Sequence, residues 1–310
     1  MAKTSKPILR VNFAGVEFLT PFLPASGTFG YGFEPGGFKL LECFGGLTTK
    51  GISYKPRVGN PPPRVRETPC GLINSIGLEN PGLEVFERDI LPRLMELGKA
   101  IIVNLAGHDK EEFELMIDRL NRYGQIVAYE VNISCPNVSQ GGVEFFREDR
   151  TLRDLLKSVK RTSQKINIVK IPPNVFGFER LLDLLMEEGF TYLTVANTYP
   201  ALFVDIERLD FYFARRSGGL SGPAIYPITL NLAYQIKKRY PEVEMIASGG
   251  ICSAEIAIQY FLVGASLVEI GSANFTDPAI VCKIKAGVEN YLERKGFCSL
   301  DEIRGKLLLI

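Results

Sequence analysis

Short apolar runs rich in β-branched residues alternate along this chain with longer stretches whose apolar residues recur at helical spacing. Eight runs read as strands: Pro21–Ser26, Gly46–Ile52, Ala100–Gly107, Ala128–Ser134, Ile166–Ile171, Tyr192–Asn197, Met245–Gly249 and Leu267–Gly271. Between them, Phe113, Met116, Ile117 and Leu120 share one helical face, as do Leu152, Leu155, Leu156 and Val159. Phe178, Leu181, Leu182 and Leu185 repeat the pattern, and Ile256, Tyr260 and Val263 suggest another helix, started by Ser253 with Glu255 behind it. Near-continuous apolar strands alternating with helices predict an α/β protein with a parallel sheet buried on both faces. Eight such units predict a closed (β/α)8 TIM barrel. The rival is an open doubly wound sheet, but Gly27, Gly30 and Gly32 have the wrong spacing for its phosphate turn. Residues 8–20 predict an N-terminal β-hairpin turning at Ala14-Gly15 and closing the barrel floor. Ser53–Pro81 and Tyr199–Pro223 are long and non-periodic, and are expected to be functional loops. With no repeat and no linker, residues 1–310 read as one domain.

Composition narrows the function classes. A hydrophobic content of 46% with 23% charge suits a globular protein with a sizeable core. The balance of 36 Lys+Arg against 35 Asp+Glu removes the main argument for nucleic acid. No window reaches the roughly 18 apolar residues of a membrane span, and the N-terminus has no apolar stretch behind its charges, so the chain reads as cytoplasmic. The six cysteines, Cys43, Cys70, Cys135, Cys252, Cys282 and Cys298, form no Cys-x-x-Cys pair. Disulfides are not expected in a reducing compartment, no iron–sulfur or metal site is expected, and each cysteine defaults to a small buried hydrophobe.

Barrels of this kind place their chemistry where strands end. The runs end in or contain Ser26-Gly27, Thr49-Lys50-Gly51, Asn104, Asn132 to Cys135, Lys170, Asn197-Thr198, Ser248-Gly249-Gly250 and Gly271-Ser272. Three amides and two amines converge with no carboxylate among them, a donor set suited to a planar heteroatom-rich ring and an anionic substrate. The Gly249-Gly250 and Gly271-Ser272 turns match the phosphate position after the seventh and eighth strands. The single histidine, His108, is expected at a helix start or facing solvent.

These residues sit within a series of motifs. Asn132-Ile-Ser-Cys-Pro-Asn137 followed by Val138-Ser-Gln-Gly-Gly142 resembles the active-site signature of the dihydroorotate dehydrogenases. Ala25–Gly32, Thr48-Thr-Lys-Gly51, Gly59–Arg64, Asn74-Ser-Ile-Gly-Leu78, Gly218–Pro223 and Gly271-Ser-Ala-Asn274 resemble family blocks in the family's order, over nearly the whole chain. The cysteine in the catalytic loop is similar to class 1, and the Val138-Ser-Gln-Gly-Gly142 ending of that loop and the Asn74–Leu78 block are both similar to class 1B, whose acceptor is NAD. The resemblance implies FMN in this chain, with FAD and an iron–sulfur cluster in a partner subunit, as a homodimer within a heterotetramer. It implies Cys135 as the general base at C5 of (S)-dihydroorotate, with hydride passing from C6 to N5 of FMN in pyrimidine biosynthesis. It puts Lys50, Asn74, Ser75, Ile76, Gly77, Leu78, Asn132, Asn137, Asn197 and Thr198 around the substrate. FMN falls to Ser26, Lys50, Gly51, Asn104, Asn132, Lys170, Ala196, Gly222, Gly249, Gly250, Gly271 and Ser272. Tyr226, the second proline of Lys170-Ile-Pro-Pro-Asn174 and the aromatic, basic Phe211–Arg216 depart from the family's pattern.

Other readings stay open at this point. They are a fumarate-linked class 1A enzyme, a flavin oxidoreductase like dihydropyrimidine dehydrogenase, a flavin-free phosphate-binding barrel with Cys135 as nucleophile, and a non-catalytic phosphate-ligand scaffold.

Overall fold

The computed structural model describes residues 6–33, 40–133, 149–173 and 177–310. Cys135 and Asn137 lie outside these. Eight parallel strands form one sheet: β1 Phe22–Pro24, β2 Gly46–Thr48, β3 Ala100–Leu105, β4 Ile126–Asn132, β5 Ile166–Lys170, β6 Tyr192–Val195, β7 Glu244–Ser248 and β8 Leu267–Ile270. Each predicted run contains or overlaps one of them. The ladder runs β2-β3-β4-β5-β6-β7-β8-β1, and its two ends meet where Gly45 N donates to Phe22 O at 2.9 Å. This is a nearly closed barrel.

Helices cover the outside, and periodicity located their inner faces. Helix Lys110–Leu120 buries Phe113, Met116, Ile117 and Leu120, and helix Asp149–Thr162 buries Leu152, Leu155, Leu156 and Val159. Burial of each such side chain is worth about 1.5–3 kcal/mol. Helix Ala254–Leu262 starts where Ser253 predicts, with the Ser253 hydroxyl accepting from Ile256 N. Helix Lys110–Leu120 is capped one residue after His108, by the Asp109 carboxylate accepting from Glu112 N at 2.9 Å.

The hairpin pairs Val11–Phe13 with Val16–Phe18 and turns at Ala14 and Gly15, both at positive φ. Ala14 N donates to Glu244 at the start of β7, and the Phe13 ring lies 5.7 Å from that of Tyr192 at the start of β6. The hairpin therefore closes the barrel at the ends where strands begin.

Three expectations need correction. The stretches expected to be loops pair into a four-stranded antiparallel sheet, Val65–Thr68, Gly71–Asn74, Ser217–Ser221 and Tyr199–Leu202. Their strands are short and rich in Gly, Pro and polar residues, so no alternation marks them, and the pairing that joins the two halves, Gly71–Asn74 with Ser217–Ser221, is between segments far apart in sequence. A disulfide also joins Cys43 to Cys282, their Cα atoms 5.3 Å apart. Nor are the other cysteines simply buried: Cys70 and Cys298 are exposed and Cys252 is half-buried. Among the described residues, no helix is long and apolar enough to cross a membrane.

Candidate active site

Of the sequence-predicted residues, Asn74, Asn104, Asn132, Lys170, Asn197 and Thr198 are linked where the barrel strands end; Cys135 and Asn137 lie outside the described residues. Strand pairing puts Asn132 level with Lys170 and Asn104 level with Glu130. Asn197 Nδ2 donates to Asn132 Oδ1 at 3.5 Å, while Thr198 N donates to Asn197 Oδ1 at 2.8 Å. Thr198 reaches the upper sheet at Gly219, where a methyl group would lie 2.0 Å from its Oγ1. Asn74 Nδ2 donates to Gly219 O at 3.1 Å. Ser75 is buried between Asn60 Nδ2, which donates to its carbonyl at 3.0 Å, and Ser217 O, which accepts from its hydroxyl at 3.3 Å. Gly77 and Leu78 both take positive φ, and a methyl at Gly77 would meet Asn60 N at 2.6 Å. Asn74 to Leu78 are thereby packed against fixed backbone.

The other predicted residues make a second wall. A methyl at Gly51 would lie 2.9 Å from Asn104 Oδ1 and 3.8 Å from Leu78 Cδ2. Asn104 N is held by Thr49 Oγ1 at 3.2 Å. Gly250, at φ +68°, leaves 2.7 Å between a would-be methyl and Gly222 O, and 2.9 Å to Tyr226 N. From Gly222 the same measure reaches Ser272 Oγ at 3.5 Å. Gly249 abuts Thr229 in the same way. Ala25 N bonds Ile270 O at 2.8 Å, which brings the neighbouring Ser26 to Gly271, and Ala196 N bonds Ser248 O at 3.0 Å. Half-buried Lys50 directly precedes buried Gly51. Tyr226, a departure from the family's pattern, thus borders the Gly222–Gly250 turn.

A residue-family model described as "Dihydroorotate dehydrogenase" matches residues 8–292. The chain belongs to the dihydroorotate dehydrogenase family. It is 39% identical over 303 residues to a protein of Geotalea daltonii named dihydroorotate dehydrogenase B (NAD(+)), catalytic subunit, covering 98% of this chain and 99% of that one. A protein of the same name from Caldicellulosiruptor bescii is 41% identical over 299 residues, covering 96% of this chain and 99% of the other. In fold, the chain is similar to the DHODH of Eimeria tenella crystallised with ferulenol, with TM-score 0.80 at 23% identity over 99% of this chain and 90% of that one.

In this family member the strand ends hold carboxylates that were not expected there. Glu130 on β4 and Glu269 on β8 point into the barrel, 0% and 1% exposed, and pair with the buried Lys170 ammonium at 3.1 and 3.3 Å. Asn104 Nδ2 donates to Glu130 at 2.6 Å, and Thr194 Oγ1 at 3.3 Å. Burial works to lower the Lys170 pKa, but the two carboxylates outweigh it and hold the ammonium above its ordinary value. The two carboxylates therefore compensate the burial of Lys170 within the protein itself. The overlooked signal was an acid inside each apolar run, Tyr129-Glu130-Val131 and Val268-Glu269-Ile270. In a barrel whose interior is packed with side chains, such an acid has to be paired or protonated.

Proposed function

We propose that this chain oxidises (S)-dihydroorotate to orotate on FMN, as the catalytic subunit of an NAD-linked dihydroorotate dehydrogenase. The observation that supports this most is the single contact network joining Asn74, Thr198, Asn197, Asn132, Lys170 and Asn104 at the barrel mouth in a member of this family. The residues suit FMN chemically. Asn104 Oδ1 is buried with no hydrogen-bond partner among the described residues, and it faces Gly51, where a side chain would fill the space. Gly222, Gly249, Gly250, Gly271 and Ser272 offer close backbone approach for a phosphate. Ser26, Lys50, Gly51, Asn104, Asn132, Lys170 and Ala196 would hold the rest of FMN. Bound FMN supplies the two-electron acceptor for the hydride leaving C6.

The chain's own residues do the remaining work. Lys50, Asn74 to Leu78, Asn132, Asn137, Asn197 and Thr198 orient the substrate through charge and amide hydrogen bonds. Cys135 takes the C5 proton. A thiol with an ordinary pKa near 8.5 is a usable base close to neutrality. Residues 1–310 act as one barrel domain in the cytoplasm, as a homodimer paired with a subunit holding FAD and an iron–sulfur cluster. Exposed Leu202, Val204, Ile206, Leu209 and Phe211 give a subunit contact apolar surface to cover.

The purified protein is expected to be yellow and to bleach anaerobically with dihydroorotate but not with dihydrouracil. A colourless protein that takes up no FMN ends this reading. Cys135→Ser is expected to slow bleaching by about 10²–10⁴-fold with FMN retained, the usual contribution of a positioned base; unchanged bleaching removes Cys135 from that role. Reduction of NAD rather than fumarate by the co-purified complex distinguishes the 1B from the 1A reading.

A further inference from the structure

Inside the barrel, one ammonium faces two carboxylates. Lys170 Nζ lies 3.1 Å from Glu130 and 3.3 Å from Glu269, and none of the three side chains is more than 7% exposed. If all three are ionised, a net negative charge remains buried inside the barrel, where uncompensated charge is costly. The electrostatic resolution is to keep one proton on a carboxyl. Glu130 is the better stabilised anion, because Asn104 and Thr194 donate to it in addition to Lys170. Glu269 Oε1 has no well-formed hydrogen bond among the described residues. The groups facing Glu269 are Glu130, Lys170 and the hydroxyls of Ser248 and Thr48. Burial first, and then repulsion from Glu130, push the Glu269 carboxyl up to about 7 against the pull of Lys170. Lys170 pairs with Asn132 across the β4–β5 ladder, two residues nearer the barrel mouth than Glu130. The trio thus lies directly beneath the wall assigned to FMN.

We propose that Glu130 and Glu269 are positioning residues for the redox step: they hold Lys170 at the mouth, and the proton on Glu269 sets the charge the trio presents to the flavin. With that proton the trio is neutral; without it the trio carries a net negative charge and opposes the gain of negative charge by the ring on reduction. This inference rests on the FMN reading above.

The test is spectroelectrochemistry of the FMN-loaded protein and its Glu269→Gln variant across about pH 5.5 to 8.5. Taking the difference between the two removes the flavin's own pH dependence. The variant is expected to match the wild-type potential at the acid end and to lie above it at the alkaline end. A tenfold preference for binding reduced over oxidised FMN corresponds to about 30 mV for a two-electron couple. Glu269→Asp, which can still titrate, is expected to restore a pH-dependent difference from the Gln variant. A difference that is zero or constant throughout overturns the proposal while FMN binding leaves the functional reading standing. If the protein binds no FMN, both fall together. Should the Gln variant not fold, infrared difference spectra of the wild type decide the matter. A buried carboxylic-acid stretch lost across that pH range supports the proposal, and its absence overturns it.

Discussion

Lys170 shows how one side chain can be structural and functional at once. Lys170→Met leaves Glu130 and Glu269 buried without a counter-charge, a change expected to destabilise the fold by about 3–5 kcal/mol. Part of that loss is avoidable in acid, because the orphaned carboxyls can take up protons. The deficit relative to wild type, read from urea unfolding, is therefore expected to grow as pH rises from about 5 to 8. In the wild type, Glu269 is held above its unfolded value, at about 7. Its contribution to stability is full below the unfolded carboxyl range and is lost as pH rises through about 7. Glu269→Gln is accordingly expected to gain stability relative to wild type across that rise, and a variant that tracks the wild type at every pH counts against a titrating Glu269.

At the scale of elements, what could be read in advance depended on how local the cause was. The helix Lys110–Leu120 and its four buried residues follow from period alone, and Ser253 marks a start because capping is a property of neighbouring backbone. Ser253→Ala is expected to cost about 1 kcal/mol in chemical denaturation without changing the flavin spectrum. The upper antiparallel sheet was not legible. Gly71–Asn74 pairs with Val65–Thr68 and Ser217–Ser221 with Tyr199–Leu202, but the two pairs become one sheet only through the long-range pairing of Gly71–Asn74 with Ser217–Ser221, and neither of these two strands has an alternating face. The same held for the site: the amides and glycines at strand ends stood out, whereas Glu130 and Glu269 lie inside runs read for their apolar residues. Gly250→Ala tests the turn these elements build. Its φ of +68° and the 2.7 Å approach to Gly222 O leave no room for a methyl. The variant is expected to fold with about 1–3 kcal/mol of strain and to lose FMN on gel filtration, while the wild type retains it.

For the whole molecule, the Cys43–Cys282 disulfide closes a ring of 239 residues of sequence separation, tying the turn before β2 to the final long helix, Ile280–Lys295. Such a pairing was not legible because nothing local in either cysteine's surroundings announces it. A thiol-reactive reagent is expected to label exposed Cys70 and Cys298 on the folded protein and to spare Cys43 and Cys282 until a reductant is added. Reduction is expected to remove about 2–4 kcal/mol and to lower Tm by several degrees. Cys43 lies beside the place where β1 and β2 meet through Gly45 and Phe22 without a ladder. The strip of paired strands therefore behaves as a cuff with one unsewn edge. Slippage at that edge is expected to change its girth without parting any laddered pair of strands, while the tie from Cys43 to the final long helix restrains the segment that leads into β2. In hydrogen exchange, the Gly45 amide is expected to open before those of β4, and by a wider margin once the tie is cut.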